Sequence, residues 1–350
     1  MSMAEQRESR GLRRSLERYV PLHFRDPLGL ALRLLRSGSP DAGAAAFQAV
    51  LGAAAAPLDL LLRPLERARL ERAEAPRKPI LFVAGPPRSG TTLVTQTLIH
   101  ALPVAYLTNL SGIFPRAPIT AGRLFRARLA NEKVRARSHY GRTSRLYGPN
   151  DGLQLWDRWV GGDRTRIPSE LGAAERFALT RFFGAYEREH RRPLVAKNNS
   201  LNLFAALVAD ALPTARFVCL RREPLFLAQS LLQARRHIHG TDVLPYGPHS
   251  PNRDVTLSPI DDVCAQIRFH EETAREQQQA IGADRFRFLS YEAFCADPAG
   301  FVGEMAEKLG LPHEAHTQAA SLQASRRRTL PAEEFAELER AVERAGLGDV

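Results

Sequence analysis

The sequence predicts a three-layer α/β/α fold, with a central parallel sheet, helices on both faces and a helical extension ahead of it. Three observations predict this. Residues 80–84 are a short continuous apolar run, as expected of a strand buried on both faces, and 193–196 and 215–220 (Ala-Arg-Phe-Val-Cys-Leu) read as further strands. Each leads into a polar turn and then a helix with apolar periodicity, the alternation that builds parallel sheets. The first run also enters the loop Gly85-Pro-Pro-Arg-Ser-Gly-Thr-Thr92, which opens a helix and aims unpaired amides and a positive dipole end into the turn.

Ahead of that loop, residues 1–25 are basic and lack the apolar run of a secretion signal. Asp26-Pro27 is a helix start, and Leu28, Ala31, Leu32 and Leu35 share one face up to Gly38. Residues 41–62, with Leu65 and Leu70, form an apolar helical region. Pro57 and Asp59 interrupt it and leave fewer than the ~20 clean apolar residues of a membrane span. A helical hairpin packed on the next domain is expected. Peripheral membrane contact is the sharper alternative, with Arg33, Arg36, Arg63, Arg67 and Arg69 on the flanks. The extension is read as 1–76 and the main domain as 77–350.

Beyond the loop, its helix carries Val94, Leu98 and Ala101 on one face, and a second strand is expected at 103–107. Residues 110–150 read as irregular, with a basic cluster of Arg123, Arg126, Arg128, Lys133, Arg135, Arg137 and Arg142. Gly148-Pro-Asn-Asp-Gly152 is a turn. Trp156 and Trp159 follow as a candidate acceptor wall, and a helix spans 172–188. The strand at 193–196 ends at Lys197-Asn198-Asn199, before a helix with Leu203, Phe204, Leu207 and Ala211. The strand at 215–220 ends at Arg221-Arg222-Glu223-Pro224, before a helix with Leu227, Ser230, Leu231 and Ala234. A long helix over 259–281 presents Val263, Ile267 and His270. A last strand at 285–289, a helix opened by Ser290-Tyr291-Glu292, another over 298–309 and a terminal helix from Pro331 complete the chain. Ligands of such sheets bind at the carboxyl ends of strands, where Arg88, Lys197 and Arg222 fall.

The net charge of +11, carried by Arg more than Lys, calls for an anionic partner. No helix-turn-helix, zinc-finger or RNP-type signature accompanies it, so nucleic acid is not expected. Three widely spaced cysteines (Cys219, Cys264, Cys295) make neither a disulfide framework nor a metal pattern and point to a reducing, cytoplasmic setting. His237, His239, His313 and His316 lack partners for a ligand set and read as surface histidines.

Gly85-x4-Gly90 has the glycine spacing of a nucleotide P-loop, yet Thr91 stands where an NTPase needs Lys. The cation is Arg88, inside the loop. A nucleotide without a γ-phosphate would find everything it needs there. Pro87-Arg-Ser-Gly-Thr-Thr92 resembles the 5′-phosphosulfate loop of sulfotransferases that use 3′-phosphoadenosine-5′-phosphosulfate (PAPS). Arg222-x-Pro224-x5-Ser230 resembles that family's 3′-phosphate site, an Arg fork and a hydroxyl matched to a phosphate monoester. Tyr291 in Leu-Ser-Tyr-Glu292 resembles the strand-end Tyr near the adenosine. Ser325-Arg-Arg-Arg328 is similar to a basic lid over the 3′-phosphate.

The resemblance, over about residues 78–309, implies in-line transfer of a sulfuryl group from PAPS to an acceptor hydroxyl of a sugar, lipid or small molecule, without a metal. Pro87, Arg88, Ser89, Gly90, Thr91, Thr92, Arg222, Ser230 and Tyr291 would bind the co-substrate. Arg88 and Lys197 would stabilise the charge of transfer. The family's base is a His or carboxylate in the region after the loop helix, and the candidates are Asp151, His139 and Glu170, with Asp151 first. The alternatives are a P-loop kinase or NTPase-like phosphoryl transferase and a non-catalytic anion-binding protein.

Overall fold

The computed structural model describes residues 40–129, 138–139, 142–143, 146–312 and 322–348. The helix expected at 26–38, His313, His316 and most of the basic run at 130–145 lie outside the described residues.

The first described element, α1 (Pro40–Glu71), is one unbroken helix rather than a hairpin. Pro57 and Pro64 sit on its exposed face, where the carbonyls they leave unpaired can be hydrated. Then come β1 (Ile80–Ala84), α2 (Thr91–Ala101) and β2 (Ala105–Tyr106). The stretch read as irregular holds α3 (Asn109–Ile113), α4 (Pro118–Leu129) and a small antiparallel pair, β3 (Ser138–His139) with β4 (Arg142–Thr143). The reason α3 and α4 are hidden locally lies on α1. Glu66 accepts from the amides of Ile119 (3.2 Å) and Thr120 (2.8 Å), and Asp59 from those of Arg116 (3.1 Å) and Ala117 (3.0 Å). Two carboxylates some fifty residues away thus satisfy the orphan donors that open α4. Burial pushes both carboxyls above their ordinary values, and these hydrogen bonds oppose it.

The chain continues through α5 (Leu153–Val160), α6 (Ala173–His190), β5 (Leu194–Lys197) and α7 (Leu201–Ala211). After β6 (Ala215–Arg221) come α8 (Pro224–His239) and α9 (Pro259–Ile281), then β7 (Phe286–Ser290). The last helices are α10 (Tyr291–Ala296), α11 (Pro298–Lys308) and α12 (Ala332–Arg344). All five strands of the main sheet are parallel, in the order β2-β5-β1-β6-β7.

Alternation along β1 divides the core. Ile80, Phe82 and Ala84 pack with residues of α5, α6 and α7, while Leu81 and Val83 pack with those of α2, α10 and α11. Trp156 (2% exposed) and Trp159 (5%) belong to the first of these clusters, against Phe82, Phe182 and Phe183. They are core residues, not an acceptor wall. His237 and His239 are half-buried near the end of α8 rather than on the surface. The order of strands reverses around β1, so the loops after β1, β5 and β6 border one crevice.

Candidate active site

Three strand ends build the site. The loop after β1 turns through Gly85 (φ +141°), Arg88 (+73°) and Gly90 (+102°). A side chain at Gly85 would put its Cβ 2.7 Å from the Leu220 carbonyl, and one at Gly90 would lie 2.4 Å from Tyr291 Cδ2. The loop is therefore pressed against β6 and the start of α10, and glycine is required at both contacts. Arg88 holds a left-handed backbone that a non-glycine residue rarely adopts. No side chain caps α2 and no acid lies in its first turn, so its amides face the crevice without a protein anion. Ser89 is fully buried and its Oγ has no hydrogen-bond partner in the described structure. An unsatisfied hydroxyl inside an amide-lined loop fits an oxyanion ligand.

The second strand end is that of β5. Lys197, 5% exposed, donates to Thr92 Oγ1 (3.0 Å) and pairs with Asp151 Oδ2 (2.8 Å). Thr91 Oγ1 donates to Asn199 Oδ1 at 2.9 Å. Asn199 is marked in the sequence only by its place after a strand. Asp151 reaches Lys197 because its turn is locked: Asn150 donates its amide to the Leu107 carbonyl (2.8 Å) and Nδ2 to Asn109 Oδ1 (2.9 Å). Gly152 N closes the turn on Asn150 Oδ1 at 2.8 Å. Of the other base candidates, Glu170 is exposed between α5 and α6, and His139 falls in β3, with its side chain outside the described set.

At the third strand end, Arg221 and Arg222 part company. Arg221 lies 2.9 Å from Glu271 Oε2 and 3.5 Å over the Phe288 ring, away from the loop. Arg222 donates Nη1 to the Arg88 carbonyl (3.0 Å) and Nη2 to the Ser325 carbonyl (2.9 Å), with its guanidinium 5.1 Å from the Tyr291 ring. Arg88 Nε donates to Ser230 Oγ at 3.0 Å. The loop and the Arg222–Ser230 site are therefore one connected unit. Burial, with Arg88 nearby, pushes Arg222 below its ordinary pKa, a strain that an anion would relieve.

Two further parts, the clip on the segment expected as a lid and the segment after α8, carry no motif in the sequence. Gln229 clips the 327–330 segment over the site: its Nε2 donates to the Arg327 carbonyl (2.9 Å) and its Oε1 accepts from Thr329 N (2.8 Å). Arg326 pairs with Glu223, 2.8 Å away. The other part is the segment after α8. Its Gly247 (φ +84°) lies so close to the loop that a Cβ would meet Pro87 Cγ at 2.6 Å.

A buried polar network fastens that segment. Arg235 (0% exposed) reaches Asp262 Oδ2 (2.6 Å), Gln266 Oε1 (2.9 Å) and the Asp242 carbonyl (3.2 Å). His270 accepts from Asn202 Nδ2 (2.9 Å) and donates Nε2–H to the Pro248 carbonyl (3.0 Å). Those bonds suit neutral imidazole, and burial pushes His270 down to about 4. The unfolded imidazole titrates near 6.5, so this stability is complete above that pH and is lost as pH falls toward 4. Between about pH 6.5 and 4.5 the stability against denaturant should therefore fall by about 1.4 kcal/mol per pH unit from this group. His270→Gln should remove that part of the slope and leave the similar contribution of His190, also pushed to about 4 by burial.

A parallel sheet whose central strand opens into a phosphate-type loop, joined to an Arg–Ser cluster one strand over, is the α/β arrangement of a transferase. The description "Sulfotransferase family" matches residues 79–315, and the chain belongs to that family, whose reaction is sulfuryl transfer. The sulfotransferase STF9 from Mycobacterium avium is similar at 16% identity and a TM-score of 0.53, over 94% of this chain and 92% of that one. STF1 from Mycobacterium tuberculosis H37Rv is similar at 14% identity and a TM-score of 0.53, over 99% and 98%. At such identities the likeness is one of fold. No curated protein sequence matches. Among the described residues no cluster could hold a metal ion, and no helix is long and apolar enough to cross a membrane.

Proposed function

We propose that the chain transfers a sulfuryl group from PAPS to an acceptor hydroxyl. The observation that carries this reading is the junction of the two anion sites. Arg222 holds the Arg88 carbonyl while the Arg88 side chain holds Ser230. Donor counting supports it. Ser230 Oγ accepts from Arg88, so its own proton is left for a 3′-phosphate oxygen. Thr92 Oγ1 accepts from Lys197, so its proton is left for the 5′-phosphosulfate. Ser89 Oγ and the amides of Thr91 and Thr92 complete that cradle, with Pro87 and Gly90 shaping it and Tyr291 beside the nucleoside.

In the step itself, an acceptor oxygen–sulfur bond forms as the bond from sulfur to the 5′-phosphate oxygen breaks. Lys197 and the α2 dipole stabilise the charge that grows on that leaving oxygen. Asp151 takes the hydroxyl proton; one of its carboxylate oxygens is committed to Lys197, and the carboxylate is about a quarter exposed toward solvent. Arg88 neutralises charge between the two phosphate sites. No metal is required for this chemistry. The acceptor is a hydroxyl of a sugar, lipid or small molecule, and the three buried free cysteines suit a reducing, cytoplasmic setting.

The test is transfer from sulfur-labelled PAPS to a panel of hydroxyl compounds without added Mg²⁺. Label should move to an acceptor as 3′,5′-adenosine bisphosphate accumulates, and Asp151→Asn should slow this by about 10²–10⁴. Mg²⁺-dependent transfer of a γ-phosphate from ATP would contradict the proposal.

A further inference from the structure

Leu58, Leu61 and Leu65 follow the i, i+3, i+7 spacing of one helix face on α1, and they are 39%, 75% and 56% exposed. The neighbouring face, about 100° around the same helix, is buried through Asp59, Leu62 and Glu66. Three large aliphatic side chains in an exposed row are therefore not needed to attach α1 to α3, α4 and α6. One turn on from Leu65, the same face carries Arg69, 3.9 Å from Glu189 Oε2. That carboxylate also takes Arg123 (3.5 Å) and Arg126 of α4. Three guanidinium groups share one carboxylate, so the cluster keeps a surplus of two positive charges (3 − 1), and the Arg123 and Arg126 side chains are 61% and 52% exposed. Leu124, 58% exposed, lies between those two arginines in α4.

We propose that this leucine row and its arginine cluster dock the protein on an anionic lipid bilayer. The combination selects the partner. Leucines enter the acyl boundary while arginines stay at the level of anionic headgroups, as in interfacial helices. A nucleic acid would use the arginines but not the leucines. A second copy facing this one across a two-fold axis would bury the leucines but oppose two clusters of the same sign. The contact is peripheral, since no described helix can span. It does not depend on the identity of the sulfuryl donor.

The experiment is flotation of the full chain with vesicles of phosphatidylcholine, with and without phosphatidylserine. Binding should require phosphatidylserine and weaken at high salt. Arg123→Gln with Arg126→Gln should weaken it about thirtyfold, at roughly one kcal/mol per charge near the surface. Leu61→Glu with Leu65→Glu should abolish it. Both pairs change exposed residues, and unchanged circular dichroism and melting temperature would show that they fold. Equal binding to neutral vesicles, or binding indifferent to both pairs, would overturn the proposal. So would a dimer that Leu61→Glu dissociates, or vesicle binding that emerges only when residues 1–39 are removed, since either means the row is already covered.

Discussion

Lys197→Ala should lower kcat about 10²–10³-fold while leaving the affinity for 3′,5′-adenosine bisphosphate within a few-fold of wild type. Lys197 is buried at the end of β5, held on one side by Thr92 of the phosphate loop and on the other by Asp151. A cation so placed touches the donor cradle and the proposed base together, where charge develops in transfer but is weaker in the ground state. Its loss should therefore fall on kcat rather than on binding. Lys197→Arg should not rescue, because a planar fork cannot make both the 3.0 Å contact to Thr92 and the 2.8 Å contact to Asp151 from one atom. Single-turnover transfer beside equilibrium binding separates the two effects. A variant that lost affinity and kept its turnover would make Lys197 a binding residue only.

Gly90→Ala is the second large effect, and it should fall on nucleotide binding. The backbone there is left-handed, at φ +102°, and a Cβ would lie 2.4 Å from Tyr291 Cδ2 and 2.7 Å from Cε2. The loop must shift or the tyrosine must leave its place beside Arg222. Either movement misaligns the amides of α2 with the Arg222–Ser230 site, and the affinity for 3′,5′-adenosine bisphosphate should fall about a hundredfold, roughly 2.7 kcal/mol. Tyr291→Ala removes the collision but not the backbone strain. The double variant should bind better than the sum of the two single losses predicts. Strict additivity would mean that the ring contact plays no part.

What the sequence could reveal was whatever is local. β1 appears as an unbroken apolar run because both its faces are covered, and the loop shows itself through glycines that a close approach demands. The strand-end positions of Lys197 and Arg222 follow from that same reading. What was hidden depends on partners far along the chain. Pro57 of α1 reads as a break because nothing local shows that it faces water. The start of α4 has no cap of its own, since Glu66 and Asp59 supply it from α1. Trp156 and Trp159 looked like a pocket wall, yet the phenylalanines that bury them come from β1 and α6. Asp151 reads as the first candidate base, but its contact with Lys197 comes only from the fold. Gln229 and Gly247 carry no motif, and their roles arise wholly from what crosses them.

The most direct test of the account is calorimetric titration of 3′,5′-adenosine bisphosphate, beside ATP with Mg²⁺, into wild type and Arg222→Ala. The account predicts metal-independent binding of the bisphosphate that is weakened at least about a hundredfold in the variant, since a bidentate charged contact in a half-buried site is lost. Preference for ATP with Mg²⁺, or bisphosphate binding indifferent to Arg222, would contradict it.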